Sequence, residues 1–239
     1  MRVLDLFSGI GGFSLGLENA GMVTEMFVEI DPKARRVLRK HWPHVEMHDD
    51  VNTIGIKRGQ FDLICGGFPC QDISRAGKME GIGGEKSGLW GQFYRLIREG
   101  QPNYVIIENV ARLRSDGLVT VLQNLNEIGY DAEWHCIPAT AVGLPQERDR
   151  IYIVAYARSL GYRRSGWVGR WISSAPEARQ HGWCEGAQGY VQIQAEPCVG
   201  RTCDGLPADV DRCRLLGNAV IPKIVEVIGR AILSVHNAQ

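Results

Sequence analysis

The sequence has no excess of charge of either sign and no long apolar run. Its 27 Lys and Arg residues equal its 27 Asp and Glu residues, so no general basic field indicates a nucleic-acid partner, and a DNA-binding face must be local. No apolar stretch is long enough to cross a membrane. Residues 2–7 read directly as a strand, without a signal-peptide pattern, so we expect a cytoplasmic protein that does not bind membranes.

The cysteines do not form a recognisable framework either. There are seven of them, an odd number at irregular spacings, which indicates reduced thiols and not disulfides. The pairs His181 with Cys184 and Cys198 with Cys203 fit the spacing of structural zinc sites poorly. We therefore expect no metal site.

Apolar strands alternate with helical patterns over most of the chain. Such alternation predicts an α/β fold with a doubly wound, mostly parallel sheet. The run Tyr104 to Ile107 is apolar throughout, as in a strand buried on both faces. The predicted strands are 2–7, 24–30, 61–65, 104–107, 131–137 and 150–156.

The alternation stops after residue 157. Residues 158–206 are rich in Gly, Ser, Gln and Arg, and they are either a small inserted module or a disordered excursion. Their tryptophans, Trp167, Trp171 and Trp183, favour the module. An apolar stripe from Val220 to Val235 then predicts a final helix. We expect three parts: 1–157, 158–206 and 207–239.

The stretch around Cys70 carries the first chemical signal. Two glycines and Pro69 precede this cysteine directly after a short apolar strand, which predicts a stiff turn at the carboxyl end of that strand. Ligands bind at this edge in open α/β sheets. The window alone leaves a nucleophile and an inert buried thiol both open. Residues 71–88 are rich in Gly and charge and predict a mobile loop.

Further polar groups follow other predicted strands. A glycine-rich turn, Ser8 to Gly12, lacks the full dinucleotide fingerprint, but Glu29 stands about twenty residues on, where an acidic group holds ribose hydroxyls. Glu108 is expected to leave the apolar strand 104–107, partly desolvated, with a raised pKa that suits an acid near neutrality. Arg148 and Arg150 share one side of a strand and suit a phosphate or a base edge, although a plain surface charge run has the same pattern.

Together these windows resemble the C5-cytosine DNA methyltransferase family. The matching motifs are DLFSGIGG at 5–12, EIDP at 29–32, GGFPCQDIS at 66–74, ENV at 108–110, QERDR at 146–150 and GNAV at 217–220. The resemblance implies a class I, Rossmann-like methyltransferase fold with 158–206 as a small target-recognition region. It further implies S-adenosylmethionine as the cofactor, S-adenosylhomocysteine as the product and double-stranded DNA as the partner of a compact, monomeric bacterial or phage-like enzyme.

The resemblance assigns a cofactor pocket to this chain. It implies that Phe7 lies near the adenine, Glu29 holds the ribose, and Asp50 with Val51 contacts the adenine edge. The other cofactor-binding residues that it implies are Ser8, Gly9, Gly11, Gly12, Ile30, Leu89 and Asn218.

It also assigns the catalytic roles. Cys70 would be the nucleophile that adds to C6 of a flipped cytosine, Glu108 the partner of cytosine N3, and Arg148 and Arg150 the groups that orient the base and the nucleophile. A protonated Glu108 would offset the charge developing in the ring. The implied DNA-side residues are Pro69, Gln71, Ser74, Arg75, Lys78 and Gln146.

Two departures from the family pattern keep alternatives open. Ile30 stands where many members carry Trp, and residues 205–212 lack the usual Arg-rich motif beside the recognition region. A partner-dependent subunit without activity of its own is therefore one alternative, and an RNA methyltransferase of the same chemistry is another. The incomplete glycine fingerprint argues against a nicotinamide-dependent oxidoreductase. The DNA sequence recognised, and a role in restriction, phage protection or regulation, are not specified.

Overall fold

Seven strands form one sheet in the computed structural model, which describes residues 1–68, 88–144, 148–161 and 219–238. The strand order is β3-β2-β1-β4-β5-β7-β6, and β7 alone runs in the direction opposite to the other strands. The predicted doubly wound, mostly parallel sheet is thereby confirmed. The strands are β1 (Arg2–Leu6), β2 (Val23–Val28), β3 (Glu46–His48), β4 (Leu63–Gly67), β5 (Tyr104–Val110), β6 (Tyr130–Pro138) and β7 (Asp149–Ala157).

Helices cover both faces of this sheet. They are α1 (Gly12–Ala20), α2 (Pro32–His41), α3 (Leu89–Gly100), α4 (Leu113–Asp116), α5 (Leu118–Glu127) and α6 (Pro222–His236), with 3-10 turns at Ala139–Val142 and Arg158–Leu160. One core lies under α1 and α6 and includes Leu17 and Ile228. The other lies under α3 and α5 and includes Phe93 and Leu125. Apolar side chains on both sheet faces are therefore buried, as the uniformly apolar strand sequence predicts.

The helix ends follow local chemistry. Asp31 caps α2 by accepting a hydrogen bond from the backbone N–H of Lys33 at 2.8 Å, and Pro32 occupies the first helical position, where its missing N–H has no cost. The helix before α2, which is α1, ends at Gly21, and this glycine adopts a left-handed conformation (φ 102°). The Asp31 cap therefore fixes the turn that follows β2, and Gly21 ends α1 just ahead of β2.

Two strands extend further than the sequence predicts. We expected Gly66 and Gly67 to form a turn and Glu108 to follow its strand, but β4 continues through Gly67 and β5 continues to Val110. The backbone ladder persists because Glu108 pairs with Gly67 on one side and with Tyr152 on the other. Glu108 therefore projects from the sheet itself and not from a loop.

Three further features concern the described ranges alone. None of their helices is long and apolar enough to cross a membrane. Within the same ranges, no group of three or more His, Cys, Asp or Glu side chains could hold a metal ion. Cys65 and Cys136 are free thiols there.

Candidate active site

The turns at the carboxyl edge of the sheet surround a cavity of about 540 Å³. This volume falls in the range of about 300–1,000 Å³ that holds small-molecule ligands. Most of its wall comes from the ends of the parallel strands, which is the expected ligand site of an open α/β sheet. The sequence-predicted residues that line it are Phe7, Gly9, Glu29, Ile30, Asp50, Val51, Leu89, Glu108 and Arg150.

Glu29 joins the first two turns of this cavity. Its Oε2 atom accepts a hydrogen bond from the N–H of Gly9 at 2.7 Å, and its Oε1 atom accepts one from the N–H of Asp31 at 2.7 Å. Each carboxylate oxygen keeps a further lone pair for a ligand hydroxyl. The side chain is thus a structural link between the turns as well as the predicted ribose group.

The other residues of the glycine-rich turn pack against protein. The Ser8 hydroxyl donates to the Asp5 carbonyl at 2.6 Å. A Cβ on Gly11, which has a φ of 89°, would lie 2.5 Å from the ring of Trp42, and a Cβ on Gly12 would lie 2.6 Å from the Val220 carbonyl oxygen. Contact of Ser8, Gly11 and Gly12 with a cofactor therefore stays a prediction, while their role in shaping the turn follows from these neighbours.

Apolar side chains form the walls of the cavity near this turn. Phe7 adopts a φ of 53°, which is unusual for a residue other than glycine, and its ring centroid lies 6.1 Å from that of Phe93. Ile30 is 75% exposed and lines the same cavity. A flat aromatic ligand could pack on this aliphatic and aromatic surface.

Asp50 and Val51 lie on the loop between β3 and β4. The Oδ1 atom of Asp50 accepts hydrogen bonds from the backbone N–H of Asn52 at 2.8 Å and from its side-chain amide at 2.7 Å. This Asx-type turn leaves the Oδ2 atom of the carboxylate outside those two bonds. Asp50, Val51 and Asn52 all line the cavity.

Glu108 lines the same cavity. Its Oε1 atom is 3.0 Å from Nε of Arg150, and its Oε2 atom would lie 2.7 Å from a Cβ on Gly67. A side chain at position 67 would therefore push this carboxylate out of its present position. Burial raises the pKa of Glu108 to about 7, although the charges of Arg150 and Arg148 oppose that rise. The structure thus gives Glu108 the near-neutral pKa that its sequence context predicts.

Arg148 lies close to this pair but contacts another part of the chain. Its Nη2 atom donates to the Ala219 carbonyl oxygen at 2.6 Å, and burial lowers the pKa of its guanidinium. Ala219 lines the cavity ahead of α6. Arg148 therefore joins the start of β7 to the segment that leads into the last helix.

Asn109 is a residue that the sequence reading did not single out. Its side-chain amide donates to the Phe68 carbonyl oxygen at 2.8 Å, and both residues line the cavity. The chain then continues from Phe68 into Pro69 and Cys70, so Asn109 anchors the last described residue before the predicted nucleophile. The sequence feature that could have identified Asn109 as a site residue is its position next to Glu108 in the ENV motif.

Several predicted site residues lie outside the described ranges. They are Pro69, Cys70, Gln71, Ser74, Arg75, Lys78, Gln146 and Asn218, and the same holds for the rejected zinc ligands His181, Cys184, Cys198 and Cys203. Among the predicted catalytic residues, Glu108, Arg148 and Arg150 are brought together, and the role of Cys70 stays a prediction.

Known proteins resemble this chain in sequence and in fold. Type II methyltransferase M2.BsuMI of Bacillus subtilis is 41% identical over 163 residues, which cover 65% of this chain and 42% of the relative. The crystal structure of a DNA modification methyltransferase encoded within an E. coli prophage matches with a TM-score of 0.56 and 28% identity, over 70% of this chain and 50% of that one. The S. pombe Dnmt2 methyltransferase matches with a TM-score of 0.56 over 72% of this chain and 54% of that one; at 20% identity this likeness shows the fold alone.

The chain therefore spans less than half the length of M2.BsuMI. The model of one family, C-5 cytosine-specific DNA methylase, matches residues 1–181, which is most of the chain. The motifs at the cavity, the sheet order and this match agree with one another. The chain belongs to the C-5 cytosine-specific DNA methylase family.

Proposed function

We propose that this protein transfers a methyl group from S-adenosylmethionine to C5 of a cytosine flipped out of double-stranded DNA. The observation that carries the proposal is the position of Glu108, a buried carboxyl whose pKa is raised to about 7 beside Arg150. It shares one cavity with the turns of Gly9 and Glu29. An acid near neutrality and a nucleoside-like pocket in one cavity suit methyl transfer to a heterocyclic base.

The described part of the cavity suits S-adenosylmethionine. Phe7, Ile30 and Val51 provide apolar surface for an adenine ring, and Glu29 provides carboxylate lone pairs for ribose hydroxyls. Asp50 lies on the loop that would meet the adenine edge. When bound, this cofactor supplies an electrophilic methyl group and leaves as S-adenosylhomocysteine. The remaining proposed cofactor contacts are Ser8, Gly11, Gly12, Leu89 and Asn218.

The residues of this chain would activate the cytosine. The thiolate of Cys70 forms a bond to C6, and the C5–C6 π electrons move so that C5 becomes nucleophilic. Glu108, protonated near neutral pH, donates to N3 and offsets the negative charge that develops in the ring. After methylation, loss of the proton from C5 to a base restores the double bond and expels the Cys70 thiolate.

Arginine side chains would support both partners in this addition. Arg150 lies against Glu108 and can hold the carboxyl towards the base, while a nearby guanidinium lowers the pKa of an attacking thiol. A stacked base cannot reach such a cavity, so the cytosine has to flip out of the duplex. The proposed DNA-side residues are Pro69, Gln71, Ser74, Arg75, Lys78 and Gln146, with 71–88 as a segment that closes over DNA.

The proposed division of labour follows the three parts of the chain. Residues 1–157 would hold the cofactor and the catalytic groups, 158–206 would recognise the target, and 207–239 would return to the catalytic part. The enzyme would act as a monomer on DNA in the bacterial cytoplasm. Because the segment 158–206 is short for a region that would recognise the target, a partner-dependent subunit is the competing outcome of the test below.

Methyl transfer can be measured directly with S-adenosylmethionine labelled in its methyl group. We expect wild type to produce labelled 5-methylcytosine in duplex DNA and Cys70→Ser to produce none. Cys136→Ser, at an exposed free thiol, is the matched control and should keep full activity. Activity that survives Cys70→Ser would contradict the mechanism. Transfer to tRNA in place of DNA would change the substrate, and cofactor binding without any transfer would favour the partner-dependent subunit.

A further inference from the structure

Arg95 on α3 uses all of its hydrogen-bond donors. Its Nε atom donates to Gln92 Oε1 at 2.7 Å, and Nη1 donates to both carboxylate oxygens of Glu99 at 3.1 and 3.0 Å. Its Nη2 atom donates to the carbonyl oxygens of Val51 at 2.9 Å and Ile54 at 3.0 Å. The guanidinium has five N–H groups in a fixed plane, so this arrangement leaves the side chain a single orientation.

The two carbonyl groups belong to the loop that carries Asp50. This loop lies between β3 and β4 and has no regular secondary structure. Within it, the N–H of Thr53 donates to the Asp50 carbonyl at 3.2 Å, which closes a tight turn. That hydrogen bond gives the turn its shape. The hydrogen bonds of Arg95 to the two carbonyl groups attach the loop to α3.

A planar peptide connects Arg95 to the carboxylate of Asp50. The carbonyl of Val51 and the N–H of Asn52 belong to the same peptide group, which is rigid and points them in opposite directions. Arg95 holds the carbonyl, and the N–H donates to Asp50 Oδ1 at 2.8 Å. If that peptide rotated, the Asp50 carboxylate would lose its backbone partner, and its other partner, the Asn52 side-chain amide at 2.7 Å, would move because Asn52 itself belongs to the rotating peptide.

We propose that Arg95 is a positioning residue that fixes the Val51–Asn52 peptide and, through it, the Asp50 carboxylate at the wall of the cavity. The proposal rests on the proposed function, since it takes the cavity as the site of S-adenosylmethionine. Arg95 lies behind the loop, with 25% of its side chain exposed, and is absent from the cavity wall. Lysine cannot replace it, because one ammonium group does not reproduce a planar fork that serves two carbonyls and a carboxylate together.

The test is the affinity for S-adenosylhomocysteine, measured by calorimetry on the whole chain. We expect Arg95→Gln and Arg95→Lys each to weaken binding about tenfold, the order of one misplaced hydrogen bond. Arg98→Gln, one turn further along α3 at an exposed position, is the matched control and should bind as wild type does. In turnover, the KM for S-adenosylmethionine should rise while kcat stays within about twofold.

A double-mutant cycle separates positioning from general support of the fold. Asp50→Ala alone should weaken binding of S-adenosylhomocysteine. Adding Arg95→Gln should weaken it further by less than about twofold, because the group that Arg95 positions is already gone. Independent effects that multiply would overturn the proposal. Circular dichroism and the melting temperature establish that each variant is folded. If both Arg95 variants unfold, Glu99→Gln, which only loosens the Nη1 contact, should still weaken binding by about twofold.

The outcomes distinguish the two levels of the argument. If wild type does not bind S-adenosylhomocysteine, the proposed function fails. If wild type binds and every folded Arg95 or Glu99 variant binds equally well, the positioning role of Arg95 fails while the function stands.

Discussion

The Oε1 atom of Glu108 lies 3.0 Å from Nε of Arg150, yet burial still raises the pKa of Glu108 to about 7. A guanidinium so close favours the ionised carboxylate, so the desolvation of Glu108 outweighs the attraction of Arg150. At neutral pH the pair is balanced between an ion pair and a neutral acid beside a cation. This balance allows one side chain to hold and release a proton within the cavity.

The first prediction concerns the pH dependence of turnover. The pKa of Glu108 is about 7. Above that pH the protonated fraction of Glu108 decreases by a factor that approaches about ten for each pH unit, and kcat/KM should decrease with it. Glu108→Gln should be slower by about 100-fold or more, because it cannot transfer a proton. It should also lack the decline centred near pH 7. The measurement is kcat/KM from pH 5.5 to 9 for both proteins, and a decline that persists in Glu108→Gln would assign it to another group.

The second prediction uses Gly67, which lies against the same carboxylate. Gly67→Ala adds a Cβ that would meet Glu108 Oε2 at 2.7 Å, so the carboxylate must move away from its place between Gly67 and Arg150. We expect kcat to fall about 100-fold, as for a misplaced catalytic group, with little change in S-adenosylhomocysteine affinity. Gly55→Ala is the control, since a Cβ there meets nothing within 4 Å. Equal activity of the two variants would contradict this packing.

The third prediction concerns Asp5, which is fully buried on β1. Ser14 on α1 donates to its Oδ2 atom at 2.7 Å, the Cys65 thiol of β4 lies beside it, and the charge of Glu29 disfavours ionisation further. Burial raises the pKa of Asp5 to about 7 in the folded protein, from an ordinary value near 3.8. The folded state therefore holds a proton that the unfolded state releases, and this contribution to stability is lost as the pH rises from about 4 to about 7.

Asp5→Asn removes that proton exchange. The free energy of unfolding of wild type, relative to Asp5→Asn, should fall by roughly 3 kcal/mol between pH 4 and pH 7. Urea titrations at several pH values measure the difference. A difference that does not change with pH would mean that Asp5 has no raised pKa in the folded protein.

The fourth prediction separates the ring of Phe7 from its backbone. At a φ of 53°, a side chain costs about 1–2 kcal/mol that glycine avoids, partly offset by the greater flexibility of glycine in the unfolded chain. Phe7→Gly should therefore be more stable than Phe7→Ala by about 1 kcal/mol, while both lose cofactor affinity equally with the ring. Chemical denaturation and calorimetry measure the two quantities. Greater stability of Phe7→Ala would contradict the strained backbone at this position.

The sequence predicts the sheet and the residues at its carboxyl edge, because both depend on the order of residues within short segments of the chain. Apolar runs mark the strands, and the polar groups that follow them, such as Glu29, meet at one edge. The sequence pattern wrongly predicts that Glu108 follows its strand, because a charged residue after an apolar run usually indicates the end of the strand. Its pairing with Tyr152 and Gly67 keeps it in the ladder.

The supporting contacts could not be predicted, because their partners are distant along the chain. Arg95 lies 44 residues from Val51, and Asn109 lies 41 residues from Phe68. An arginine on a helix, or an asparagine after a glutamate, is compatible with many different contacts, so the sequence does not indicate which one forms. Likewise, the packing of the glycines at 11 and 12 against Trp42 and Val220 joins residues that are distant along the chain, and the sequence pattern does not reveal it.

The close approach of Gly12 to the Val220 carbonyl joins two segments that lie far apart along the sequence. Contacts between distant segments form slowly, because the long loop between them has to close first. The glycine-rich turn therefore gains this neighbour only when the segment ahead of α6 has folded against it. A folding intermediate in which α6 is not yet docked lacks one wall beside this turn.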